Sequence, residues 1–227
     1  MIIIGHRGDK GNEPENTLKS FEEAINLGVN MVELDVHLTK DGHLVVIHDR
    51  KLNRTTDGKG LVSEKTLEEV RELNAGEGEK IPTLEEVIEM IDQRVAINIE
   101  LKAIGSAEKV CEVINFYVTE GWNYSDFLVS SFEHNELHHF SKICPRVRIG
   151  VLMGDVPLGY AEYAESLGAY SANIALEATS PKFVEDAHAR GLKVFVWTVD
   201  DLEDMKLMKA LGVDGIITDF PERAREI

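Results

Sequence analysis

With 227 residues, of which 43% are hydrophobic and 29% charged, the sequence has the composition of a globular chain long enough to bury a sizeable core. Its formal net charge of −17, from 41 Asp and Glu against 24 Lys and Arg, excludes a general affinity for nucleic-acid backbones or anionic membranes, so an anionic substrate has to meet cations placed locally. Two cysteines, Cys111 and Cys144, are too few for a thiolate metal cluster or a disulfide framework, and the opening residues 1–7 lack the basic region of a signal peptide. No apolar run is long enough to cross a bilayer, so neither membrane insertion nor export is expected and the expected location is cytoplasmic.

In chain order, residues 2–5 are a continuous run of mostly β-branched residues, the pattern of a strand buried on both faces in a parallel sheet, with His6-Arg7-Gly8 at its carboxyl end. Leu18, Phe21, Ala24, Ile25 and Leu27 then recur at helical spacing until Gly28 stops them. Residues 31–49 form two alternating runs about Asp41-Gly42, which predicts a hairpin with Glu33, Asp35 and His37 on one face of its first arm. A two-residue turn there pairs Lys40 with His43 and brings Asp35 opposite His48, with Cβ atoms about 5 Å apart; a longer, bulged turn shifts the register by one residue.

Residues 50–81 hold Gly58, Gly60, Gly76 and Gly78 and read as an excursion from the scaffold, with one short helix over 64–73 introduced by Ser63. Thr83, after Pro82, caps a helix running to residue 91. Regular alternation follows, with strands at 95–101, 127–131, 148–152, 170–173, 193–198 and 215–218. Between and after them the pattern predicts helices at 106–120, 134–142, 158–167, 181–190 and 202–211. The return arm 43–49 follows too tight a turn to be parallel to its predecessor, so eight parallel strands remain. The expected class is α/β, a (β/α)8 TIM barrel formed by 1–227 as one domain, with a β-hairpin and a small insertion at about 39–81 after strand two; a doubly wound open sheet is the alternative.

In such a barrel, residues at the carboxyl ends of different strands converge. Glu33, Asp35 and Glu100 would then supply hard oxygen ligands, which favours one divalent ion, Mg²⁺ or Ca²⁺, with Mn²⁺ also admissible, over Zn²⁺. Their alternative is a buried ion network that includes Lys102. His6 and His48 suit general acid–base catalysis near neutral pH, against the plainer roles of capping the first strand and bracing the hairpin. Arg7 and Lys102 offer charge to an anionic oxygen, although Arg7 can instead pair with Glu15 or Asp9. Trp197 either walls a substrate or packs in the core. His37, His43, His134, His138, His139 and His188 read as surface or helix residues.

His6-Arg7-Gly8, Pro14-Glu15-Asn16-Thr17, Glu33-Leu34-Asp35-Val36, Thr39-Lys40-Asp41-Gly42, His48-Asp49 and Arg54-Thr55-Thr56 resemble the signature of glycerophosphodiester phosphodiesterases. Glu100-Leu101-Lys102 and Thr218-Asp219-Phe220-Pro221 extend the resemblance nearly end to end. It implies a metal-dependent barrel that cleaves glycerophosphodiesters to an alcohol and glycerol 3-phosphate, and an excursion over 50–81 that is short for an inserted domain suggests a small polar headgroup. Glu33, Asp35 and Glu100 would hold the metal, His6 and His48 would act as acid and base, and Arg7 and Lys102 would contact phosphate. The readings set against it are a phospholipase-type lyase that stops at a cyclic phosphate and a non-catalytic barrel that binds a phosphorylated metabolite. The sequence assigns no oligomeric state.

Overall fold

A computed structural model describes residues 1–227. In chain order its strands are β1 (Ile2–His6), β2 (Met31–Leu38), β3 (Leu44–Val46), β4 (Ala96–Leu101) and β5 (Phe127–Ser131), then β6 (Arg148–Met153), β7 (Ser171–Ala175), β8 (Lys193–Trp197) and β9 (Gly215–Thr218). The α-helices are α1 (Leu18–Asn26), α2 (Leu67–Arg71), α3 (Leu84–Ile91), α4 (Ala107–Thr119), α5 (His134–Ile143), α6 (Glu162–Ser166), α7 (Pro181–Ala189) and α8 (Leu202–Leu211). All strands but β3 run parallel, and β1 bonds to both β9 and β2, which closes the sheet into an eight-stranded (β/α)8 barrel and rejects the open doubly wound sheet. No helix is long and apolar enough to cross a membrane.

Closure leaves two apolar compartments. The larger lies between the strands and the ring of helices, where α1, α3, α4, α5 and α7 contribute Phe21, Ile88, Ile114, Phe140 and Phe183. The smaller fills the barrel interior with Ile4, Met31, Leu128, Phe195 and Ile217. Above that layer the inward positions turn polar, because side chains two apart on a strand share a face: Ile4 gives way to His6, Met31 to Glu33 and Asp35. Gly8 lets the chain turn from β1 toward α1. It holds φ +87°, and a Cβ there would meet the Ser20 backbone at 2.6 Å.

The hairpin forms, but its register differs from the expected one. Leu38 pairs with Leu44, His37 with Val45 and Val36 with Val46, so Lys40 does not face His43, and Asp35 accepts from the Ile47 amide rather than lying opposite His48. A three-residue loop, Lys40-Asp41-Gly42, causes the shift: the Gly42 amide donates to the Thr39 carbonyl and Gly42 turns left-handed at φ +83°. The Thr39 hydroxyl supports this loop by donating to Asp41 at 2.7 Å and accepting from the His43 amide at 2.9 Å. Composition alone does not separate this loop from a two-residue turn.

The excursion has a small core of its own, Val45, Ile47, Leu52, Val62, Val70, Ala75 and Ile81, and a bridge between Lys51 and Leu61. The helix expected over 64–73 is shorter. It is α2, capped by Thr66 in a box with Glu69, while Ser63 lies in a 3₁₀ turn, Val62–Glu64. The helix expected over 158–167 also contracts, to α6, because Gly159 and Tyr160, both left-handed, occupy its first turn. Thr83 caps α3 as expected, with Glu86 completing the box.

Candidate active site

A cavity of about 270 Å³ opens at the carboxyl ends of the strands, with His6, Glu33, Glu100, Lys102, His48 and Trp197 among its walls. Strand register assembles most of it. His6 pairs with Glu33, Glu33 with Asn98, Asp35 with Glu100, and Glu100 with Ser130. Adjacent strands lie about 4.8 Å apart, so these side chains stand as close neighbours.

Carboxylate oxygens of Glu33, Asp35 and Glu100 lie within 4.8 Å of one another, and all three residues are buried. Two cations offset them in part. Lys102 Nζ lies 2.8 Å from Glu100 and 3.6 Å from Asp35, and Arg7 Nε lies 3.2 Å from Asp35. The ion network weighed as the alternative therefore exists, but it leaves an excess of acid, since Arg7 is shared with Glu15 at 2.8 Å. Glu33 receives only the Arg7 amide, at 3.0 Å, and one oxygen of Asp35, Oδ1, is buried without a hydrogen bond. Burial, then repulsion by Asp35 and Glu100, pushes the Glu33 carboxyl well above the ordinary carboxylate range. Burial and the Asp35 charge push Glu100 up to about 7. Burial opposes ionisation of Asp35 as well, but Arg7, Lys102, His48 and the Asn16 amide outweigh it and hold that carboxyl low. A hard divalent cation fits this donor set, supplying the missing charge and a partner for the orphaned oxygen.

Both expected histidines face the cavity, and each is held from behind by an aspartate. His6 Nδ1 lies 2.5 Å from Asp219 Oδ1, with Nε2 3.9 Å from Glu33; His48 Nδ1 lies 2.7 Å from Asp49 Oδ1. The Lys102 ammonium donates to His48 Nε2 at 3.1 Å, so the proton of neutral His48 sits on Nδ1, toward Asp49. Burial lowers the pKa of both rings against the opposing pull of their aspartates. Lys102 thus stands between Asp35 and His48, the two groups the expected hairpin register would have joined directly. His48 reaches the site because it lies past the end of β3, where its carbonyl is held by His37 Nε2 at 3.0 Å. His37 is accordingly a buried brace on β2 rather than a surface residue.

Arg7 makes the Glu15 pair weighed from the sequence and still lines the cavity, while Asp9 instead binds Asn12. Trp197 packs against the barrel-interior cluster and also lines the cavity, edge-on to Phe132 at 5.3 Å, and donates its indole N–H to the Asn173 carbonyl at 3.0 Å. Several supports were not singled out from local pattern. Arg54 binds Asp49 through Nε and Nη2, at 2.8 and 2.9 Å, and Glu15 through Nη1 and the same Nη2, at 2.7 and 2.8 Å, so an unbroken chain of hydrogen bonds joins His48 to Arg7. Asn16 donates to Asp35 at 2.9 Å, and Thr17 caps α1. Asn98, on the cavity floor, accepts from Ser130 at 2.9 Å and leaves its own buried NH₂ without a partner.

Residues 6–223 match the glycerophosphoryl diester phosphodiesterase family. The chain is 43% identical to a glycerophosphodiester phosphodiesterase of Caldanaerobacter subterraneus, over 97% of this chain and 95% of that one. It is also 43% identical to one of Bacillus altitudinis, over 99% and 97%. Among solved structures, a phosphodiesterase of Oleispira antarctica in complex with the product sn-glycerol-3-phosphate superposes with a TM-score of 0.92 at 32% identity, covering 100% of this chain and 96% of that one.

Proposed function

The chain belongs to the glycerophosphodiester phosphodiesterase family and is an enzyme of that kind, and from this we propose that it hydrolyses small glycerophosphodiesters, such as glycerophosphoethanolamine and glycerophosphocholine, to an alcohol and glycerol 3-phosphate. The observation that carries the reading is the meeting of two aspartate-backed imidazoles with a cluster of three carboxylates in one cavity. Glu33, Asp35 and Glu100 would hold one divalent metal, Mg²⁺ or Ca²⁺ first and Mn²⁺ next, by their hard oxygen donors. When bound, such an ion supplies Lewis-acid polarisation of phosphodiester oxygens and offsets charge that develops on them.

The chain's own groups do the rest. One histidine takes the proton of the nucleophile and the other gives a proton to the leaving alcohol; a water as nucleophile yields glycerol 3-phosphate directly, whereas the glycerol 2-hydroxyl yields a cyclic phosphate that a water then opens, with the proton transfers reversed. Asp219 and Asp49 fix the ring orientations and stabilise whichever imidazole is protonated. Arg7 and Lys102 face the phosphate with fixed positive charge, and Trp197 and Phe132 form an apolar wall that limits water.

Phosphorus NMR of a glycerophosphoethanolamine digest with added Mg²⁺, Mn²⁺ or Ca²⁺ tests the reading. The diester resonance should give way to glycerol 3-phosphate. A lasting cyclic phosphate would replace hydrolysis by lyase chemistry, and an unchanged diester would leave a binding protein.

A further inference from the structure

The cavity has a second, more open side. Beyond His48 and Lys102, which line both, lies a concavity of about 630 Å³ bounded by His37, Asp49, Arg50, Lys51 and Leu61. A smaller hollow continues from it between Arg50, Ser63, Lys102 and Glu133. Arg50 and Lys51 are exposed and form no ion pair, whereas the one acid in the larger concavity, Asp49, is already engaged by His48 and Arg54. Their backbone is held in place. The Arg50 carbonyl accepts from the Val62 amide at 3.0 Å, and Lys51 bridges to Leu61. In a chain of net charge −17, two unpaired cations on a fixed turn beside the catalytic cavity form a local positive surface.

We propose that this concavity is a subsite for the leaving arm of the diester and that it selects a headgroup alcohol carrying a phosphate, with Arg50 and Lys51 as the specificity-determining residues. The inference rests on the reading of the cavity as a glycerophosphodiester site. The more enclosed side, walled by Trp197, Phe132 and Leu152, is sized for the constant glycerol phosphate. The open side then takes the arm that varies. A phosphate there meets a guanidinium able to bind it through two N–H groups and an ammonium beside it. A quaternary ammonium finds no Phe, Tyr or Trp face among the residues lining the concavity and is repelled by the same cations.

The test compares three diesters of glycerol 3-phosphate, with ethanolamine, glycerol or glycerol bearing a terminal phosphate as headgroup, by the loss of the diester phosphorus resonance. The phosphorylated headgroup should give a kcat/KM about tenfold above that of ethanolamine, in line with two partly exposed charge contacts, and 0.5 M NaCl should shrink the ratio. In the double variant Arg50→Glu, Lys51→Glu the ratio should fall to one or below, through KM rather than kcat. Equal kcat/KM for all three diesters in the unmodified protein, or a ratio unmoved by the double variant, overturns the subsite while leaving the phosphodiesterase reading intact. Turnover of none of them overturns both.

Discussion

At the scale of single residues, the two catalytic candidates are positioned from very different distances in sequence, His48 by its neighbour Asp49 and His6 from the far end of the chain. His6 is held by Asp219, 213 residues on, and the pair is short at 2.5 Å. Replacing His6 or His48 by Ala is expected to lower kcat by about 100-fold or more, read as initial rates on glycerophosphoethanolamine; near-normal turnover in either variant removes that histidine from the mechanism. Asp219 also carries a stability signature. Burial opposes its charge, but the His6 hydrogen bond and the His6 and Lys10 charges outweigh it and bring its pKa down to about 2, from about 3.9 in the unfolded chain. A depressed folded-state value means that its contribution is complete above the unfolded pKa and fades as pH falls toward the folded one. Asp219→Asn should therefore cost about 2 kcal/mol at pH 6, with the Tm gap from the unmodified protein narrowing between pH 4 and pH 2. A gap that is constant across that range would assign the loss to packing. The acids and histidines were legible in the sequence because they sit at strand ends, where alternation fixes their face. Glu15 was legible as a partner for Arg7, but Arg54 only as part of a resemblance, since nothing in local pattern shows that its segment meets Glu15 across 39 residues.

At the scale of elements, alternation and capping residues placed β5, β9 and α8 at their observed bounds and α3 at its Thr83 cap. They failed where loop chemistry competes. The hairpin slipped by one residue because Thr39 and a left-handed Gly42 stabilise a longer loop, and α6 lost a turn to Gly159 and Tyr160. The loop gives a direct check. Nothing lies within 4 Å of a Cβ built on Gly42, so only backbone strain opposes a side chain there. Gly42→Val is expected to destabilise by about 1–2 kcal/mol, and Gly42→Asn by clearly less, since Asn tolerates the left-handed region. Equal denaturation midpoints for the two variants would contradict the bulged turn. The hairpin's role survives the slip. β2 supplies acids to the barrel, whereas the chain beyond β3 bends so that His48 meets Lys102 instead of Asp35.

At the scale of the whole molecule, eight strands closing through β1 bring groups from both ends of the chain to one rim. The apolar interior layer beneath them and the excursion's small core support that rim from below and from the side. With an overall net charge of −17, the proposed reading has Arg7, Lys102 and the cations beyond His48 meet the anionic substrate. We propose that phosphodiester hydrolysis here depends on a divalent cation for which the carboxylate cluster is built, a dependence on which the mechanism rests. Its most direct test is release of glycerol 3-phosphate from glycerophosphoethanolamine by protein stripped with EDTA, then resupplied in turn with Mg²⁺, Mn²⁺ and Ca²⁺. We predict no release from the stripped protein and restoration by at least one of the ions, with Glu100→Gln preventing that restoration. Full activity in excess EDTA would contradict the claim.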